Sequence, residues 1–208
     1  MANSFETEWE TPEYETLSSL AENLVFRLPG CTDVMIRKTI ASVYRDFCKR
    51  TCCFTTRRKI TLENGVREYP LYAIVSDCIV DCVVGVKVHD VPLDKEMYSF
   101  RGEAMFVSDR ELPDEGIAAE MEVECVEIPK VGCEHAPSAF IQRYGDAIES
   151  GVMAKLCMMT GRAWSDANVA AQEMRAYENA LTSARARQIG GGNLSSGGLN
   201  YLGGGYLV

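Results

Sequence analysis

Apolar residues in the first quarter of the chain recur at helical spacing. Leu17, Leu20, Leu24 and Leu28 step by three and four, which predicts one amphipathic helix over residues 14–28. Pro29-Gly30 stops it. Thr32 is a candidate N-cap for a second helix, whose stripe is Ile36, Ile40, Val43 and Phe47 and whose end is expected near Arg50.

The next eighty or so residues change period. RKITL and VREYPL flank Glu63-Asn64-Gly65, and Asn-Gly supplies the positive φ angles of a tight turn, so the two runs predict a hairpin. CIVDCVVGVKVH is rich in β-branched residues, with Asp81 and Gly85 suited to a bulge. EMYSF and MFVSD are two further short strand candidates, and Pro113-Asp114-Glu115-Gly116 predicts another turn. AEMEVECVEIP alternates strictly, with Glu120, Glu122 and Glu124 on one face and Met121, Val123 and Cys125 on the other. A wet outer sheet face accounts for these carboxylates without invoking catalytic acids or calcium.

Helical spacing returns after Pro137. Ile141, Tyr144, Ile148, Val152, Leu156 and Met159 form one stripe, with Gly161 as its stop. A last helix opens at Trp164-Ser165-Asp166, with Ser165 as N-cap and Trp164 and Val169 as a hydrophobic staple, and runs through Met174, Tyr177, Leu181 and Ala184 to about Arg187. The expected fold is α+β: a small α-helical bundle with an inserted antiparallel β region and an extended Gly-rich C-terminal arm. Its segments are an acidic N-terminus (1–13), bundle helices (14–56), the inserted β meander (57–136), a C-terminal helical pair (137–188) and the arm (189–208). Phe47, Ile141, Tyr144, Ile148, Leu156, Trp164, Tyr177 and Leu181 are the expected helical core.

Composition narrows the chemistry. The acidic MANSFETEWETPEYE is unlike a secretory signal, and no run of eighteen apolar residues exists to span a membrane. The nine cysteines contain no CxxC pair, and the nearest approach to a metal motif is Cys133-Glu134-His135. Buried reduced thiols in a reducing cytoplasm, with no metal or other cofactor, are expected instead. His89 and His135, the only histidines, sit in no nucleophile motif, and no phosphate-binding glycine loop follows a strand. No catalytic residue is therefore assigned, and an enzyme is not expected. A net charge of −9 argues against a surface that grips nucleic acid throughout. The cationic exception is FCKRTCCFTTRRK, where Arg57, Arg58 and Lys59 are candidates for an electrostatic contact, against the plainer reading of a solvated strand start.

The tail IGGGNLSSGGLNYLGGGYLV is unusual in another way. Eight of its twenty residues are glycine and none is charged, yet Leu194, Leu199, Tyr201, Leu202, Tyr206, Leu207 and Val208 do not belong in an inert spacer.

One resemblance joins these features. APSAFIQRYGDAIESGVMAKLCMMTGRAWSDANVAAQEMRAYENALTSARAR resembles the C-terminal helical pair of tailed-bacteriophage head-to-tail adaptor (connector, or head-completion) proteins. Tyr144, Ala147-Ile148, Gly151, Ala154, Leu156, Gly161, Trp164 and Asp166 carry it. LPGCTDVMIRKTIASVYRDFCKRT is similar to the family's first long helix, and REYPL with IVDCVVGVKVHDVPL to the strand pair after it, so the likeness spans roughly residues 20–187. It implies a structural virion protein at the capsid neck, assembled in the host cytoplasm, with about twelve copies in a ring beneath the portal protein. Such a ring extends the DNA channel, passes genomic DNA without sequence-specific binding and docks tail or nozzle proteins. In that setting Arg57, Arg58 and Lys59 would meet channel DNA or an acidic neighbour. The tail, which spans up to about 66 Å if extended, would be an arm on the portal or a neighbouring adaptor. Two other classes stay open: a module that binds a host protein, marked by a tight complex without portal, and a small enzyme, marked by turnover that depends on His135 or Cys133.

Overall fold

The computed structural model describes residues 13–75, 77–108 and 119–189. Within them the chain is mixed α+β, with four helices and antiparallel sheets. The helices are α1 (Ser18–Arg27), α2 (Asp33–Thr51), α3 (Ser138–Cys157) and α4 (Ala167–Ile189). The strands are β1 (Tyr14–Thr16), β2 (Thr55–Leu62), β3 (Glu68–Pro70), β4 (Cys78–Val88), β5 (Val91–Pro92), β6 (Tyr98–Arg101), β7 (Ala104–Val107), β8 (Ala119–Pro129) and β9 (His135–Pro137). The predicted Pro113–Gly116 turn lies outside the described residues.

Both ends of the chain build one core. Leu17, Leu20, Leu24 and Leu28 from the first stripe join Ile36, Ile40, Val43 and Phe47 from α2 and Ile148, Val152, Leu156, Tyr177 and Leu181 from α3 and α4, all buried. Ile141 and Trp164 pack on it while half-buried. The expected core members therefore come together. Phe140 sits at the centre, with ring centroids 4.9 Å from Tyr44, 5.8 Å from Phe47, 5.6 Å from Phe54 and 5.3 Å from Tyr144.

A second core lies between sheets. β2, β8, β4 and β5 form a four-stranded sheet in that order, and β3, β7 and β6 a three-stranded one. Met121, Val123 and Cys125 from β8, with Val80 and Val86 from β4, meet Tyr69, Leu71, Met105 and Val107 across the interior. The alternation of β8 holds as read, with Glu120 exposed and Glu122 and Glu124 half-exposed on the other face. β4 carries register shifts at Val80/Cys82 and Val83/Gly85, so its irregularities fall around Asp81 and Gly85 as expected.

Four local expectations need correction. Asn64-Gly65 makes a turn, with Gly65 at φ +75°, but β2 and β3 do not pair. β2 instead pairs with β8 over eight residues, and β3 with β7. Tyr69 replaces the missing ladder: its hydroxyl accepts from the Glu63 N–H at 3.1 Å and donates to the Val66 carbonyl at 2.9 Å. Second, residues 14–16 are not helical. They pair with His135–Pro137, and the Leu17 N–H donates to the Glu134 carbonyl at 2.8 Å. Third, the cap of α4 is Asp166, whose Oδ1 accepts from Asn168 and Val169 N–H at 2.9 and 3.0 Å. Ser165 serves the preceding turn, accepting from the Arg162 N–H and donating to the Met159 carbonyl. Fourth, α3 stops at Cys157, where the Met158 N–H returns to the Ala154 carbonyl, so Gly161 belongs to the connection.

Gly151 is the point where three helices touch. A Cβ there would lie 2.6 Å from Val43 Cγ1 on α2 and 2.9 Å from Tyr177 Cδ2 on α4. Both neighbours are buried and cannot swing away. Gly151→Val is expected to lower stability by at least about 1–3 kcal/mol, read from chemical denaturation. Full stability in that variant would show that the helices separate freely there.

All nine cysteines are free thiols. Burial raises the pKa values of Cys48, Cys78 and Cys125, Cys78 to about 12 and Cys125 to about 11. Burial likewise raises those of the Tyr44 and Tyr177 phenols. Because the folded values exceed the unfolded ones, the unfolded chain loses protons first on raising pH. Stability is expected to be complete below the ordinary thiol range and to fall as pH climbs toward 11–12. The urea midpoint should drop accordingly. At pH 8, alkylation should take exposed Cys82 in the native state and Cys48, Cys78 and Cys125 only on unfolding. A flat alkaline profile would contradict this.

Candidate assembly surface

The three cations of β2 are separated by the period of the strand. Arg57 and Lys59 lie on the face of the β8 carboxylates. Arg57 Nε is 3.2 Å from Glu124 Oε1, and Lys59 Nζ is 2.5 Å from Glu120 Oε1. The Lys59 pair is exposed on both sides, so it contributes little to stability and is screened by salt. Arg58 points inward and is paired with Glu127, whose side chain is fully buried. Arg58 is thus engaged within its own chain, and Arg57 and Lys59 face acids of their own chain on the other side of the strand.

Glu127 went unremarked in the sequence, although it stands in a run of otherwise apolar residues, Cys125-Val126-Glu127-Ile128. Its Oε1 accepts from the Thr56 hydroxyl at 2.9 Å, from the Ile74 N–H at 2.9 Å and from Arg58 Nη2. Its Oε2 accepts from the Val75 N–H at 3.0 Å. Arg58 Nη1 also donates to the Tyr72 carbonyl. A buried carboxylate is costly to desolvate, and several charge-assisted hydrogen bonds are what offset that cost. Together the pair ties the segment after β3 down onto the four-stranded sheet.

That tie turns two large side chains outward. Tyr72 is 66% and Ile74 56% exposed, although the backbone between them is held from beneath. Lys130 lines the same groove as Tyr72 and Ile74, and Val131 beside it is 88% exposed. A second apolar feature lies on a different element. Phe26 is 88% exposed on the α1 face opposite Leu20, Leu24 and Leu28. Exposed aromatic and aliphatic groups on a fixed backbone are suited to bind another protein surface, because little backbone entropy remains to be lost.

Of the two residues named in the enzyme alternative, the Cys133 thiol is directed to the His135 backbone carbonyl at 3.2 Å. His89, the other histidine, has φ +50° in the β4–β5 turn. Among the described residues no group of three or more His, Cys, Asp or Glu is arranged to hold a metal ion. No described helix is long and apolar enough to cross a membrane. The arm residues Leu194, Leu199, Tyr201, Leu202, Tyr206, Leu207 and Val208 lie outside the described residues.

Comparison with known protein families and with curated proteins finds no match to this chain.

Proposed function

We propose that this chain is a head-to-tail adaptor of a tailed bacteriophage, a structural protein that forms a ring below the portal, extends the DNA channel and docks tail components. The observation that carries the reading is the helical core closed from both ends of the chain, residues 17–54 and 136–184, with the strands excursing between them. This is the order that the resemblance implies. In this reading the helices are a small bundle with an inserted β region, and residues 189–208 are an assembly arm. The described surface supports it in one further respect. A heterologous ring needs two different flanks on each subunit, and the Phe26 face of α1 and the Tyr72–Ile74–Val131 end of the sheet are two different apolar sets. The excess of acid suits a channel wall over which phosphates slide.

Electron microscopy of the purified protein, alone and mixed with its portal, tests the reading. Added ring density on the portal is the expected result, and bare portals at saturating protein would refute it. Deleting residues 193–208 is expected to leave a folded subunit that no longer stays on the portal. Retention as strong as that of the intact chain would remove the arm from the scheme.

A further inference from the structure

The four-stranded sheet ends differently on its two sides. The order β2-β8-β4-β5 puts β2 at one margin and β4, capped by the short β5, at the other. An edge strand presents a row of backbone donors and acceptors to any extended chain, and proteins blunt such rows with bulges, short cover strands or charges. The β4 side is blunted twice. Its register breaks between Val80 and Cys82 and again between Val83 and Gly85, and β5 covers Lys87 and Val88. The β2 side is straight, with all eight of its residues paired to β8 in one unbroken register. Its outer-face cations, Arg57 and Lys59, are drawn sideways to Glu124 and Glu120 of β8.

One hydrogen bond fixes the direction of every backbone group on β2. The Glu127 N–H donates to the Phe54 carbonyl at 2.8 Å, so Phe54 faces β8. The N–H and C=O of a strand residue share one side, and that side alternates along the chain, so Thr56, Arg58, Ile60 and Leu62 face β8 as well. The residues between them, Thr55, Lys59 and Thr61 included, turn theirs to the margin. Among the described residues no further strand lies there, and Lys59 and Thr61 are exposed.

The two faces of β2 set what fits beside it. On the outer face charge alternates from column to column: Lys87 of β4, then Glu120, Glu122 and Glu124 of β8, then Arg57 and Lys59 of β2. An acidic column is favoured next, because like charges directly opposite each other repel. A second β2 fails this condition, since it brings Arg57 and Lys59 against the same cations. On the inner face Ile60 packs half-buried on the second core, so the adjoining inward positions favour β-branched apolar residues.

We propose that the β2 margin is a docking site for an extended segment of a partner protein, which adds antiparallel as a further strand and alternates carboxylates with β-branched residues. Main-chain hydrogen bonds to Thr55, Lys59 and Thr61 hold it, and its acidic column beside Arg57 and Lys59 selects it. The inference goes beyond the adaptor reading and does not depend on it.

Residue-resolved hydrogen exchange tests the site and its occupant together. In the free protein the amides of Thr56, Arg58, Ile60 and Leu62 are expected to be protected, and those of Thr55, Lys59 and Thr61 to exchange fast. Adding the peptide acetyl-TEVEVEVET-amide should protect Thr55, Lys59 and Thr61 and leave the first set unchanged. Its lysine counterpart, acetyl-TKVKVKVKT-amide, should bind at least about tenfold more weakly at low salt, and Lys59→Glu should narrow that preference. Thr61→Pro removes an outward N–H and no ladder bond, so it should weaken peptide binding while the urea midpoint stays near that of the wild type. The ligand offers the same cut without altering the protein. Antiparallel pairing turns the glutamate N–H groups of the peptide toward β2, so N-methylation at the glutamates should abolish binding and N-methylation at the valines should not. Marginal amides already protected in the free protein overturn the proposal, as does a glutamate peptide that leaves them unprotected. Equal binding of the two peptides, or protection that grows with protein concentration alone, overturns it as well.

Discussion

Glu127→Ala lowers the stability of the fold by about 3–5 kcal/mol, the range for breaking a buried ion pair from one side. The variant leaves the Arg58 guanidinium, itself only 12% exposed, without its counter-charge. It also leaves the Ile74 and Val75 N–H groups and the Thr56 hydroxyl without an acceptor, in places where water does not easily follow. Glu127→Gln is nearly isosteric and still fails in large part, because one carboxylate oxygen becomes an NH2 group facing hydrogen-bond donors. Adding Arg58→Met to Glu127→Ala should recover part of the loss, since the uncompensated charge goes, but not the share owed to the two backbone amides. Urea denaturation of the wild type, Glu127→Ala, Arg58→Met and their double variant gives the cycle, and hydrogen exchange at Ile74 and Val75 gives the local reading. If Glu127→Ala and the wild type share one midpoint, the carboxylate is not the tie described above.

Phe140→Ala is expected to cost about 3–5 kcal/mol, the range for emptying an aromatic site in a packed interior. The ring is fully buried and meets Tyr44 and Phe47 of α2, Phe54 at the entry to β2 and Tyr144 one turn along α3. The resulting hole is shared by elements from both ends of the chain, so it cannot be closed by moving one helix. Phe140→Leu keeps most of the volume and should lose less. Phe26→Ala is the matched control: its ring is 88% exposed, and the change should move stability by no more than about 0.5 kcal/mol. A Phe140→Ala protein as stable as that control would mean the two halves of the helical core do not depend on each other.

Periodicity alone determined the four helices and the longer strands, and which side of each is apolar, but not the short strands β1, β5 and β9. The stripes of α1 to α4, the alternation of β8 and the irregularities of β4 are all written locally, because a helix or strand places its side chains by its own repeat. Caps and ends are set by single hydrogen bonds, so Asp166 in place of Ser165 and Cys157 in place of Gly161 are shifts of one and four residues. Partners were decided only in three dimensions. The Asn64-Gly65 turn is legible, yet β2 gains an eight-residue ladder with charge matches on β8, more than three residues of β3 can offer. Tyr14–Thr16 continue a helical pattern but find open backbone groups on residues 135–137, more than a hundred positions away. The same limit governs the candidate surface. Arg57, Arg58 and Lys59 read as one basic run, and only strand pairing reveals that the middle cation faces inward to Glu127. Glu127, in turn, has no signature except a carboxylate where an apolar residue is expected. A local repeat says which face a side chain takes; which distant group waits there depends on the closure of the whole chain.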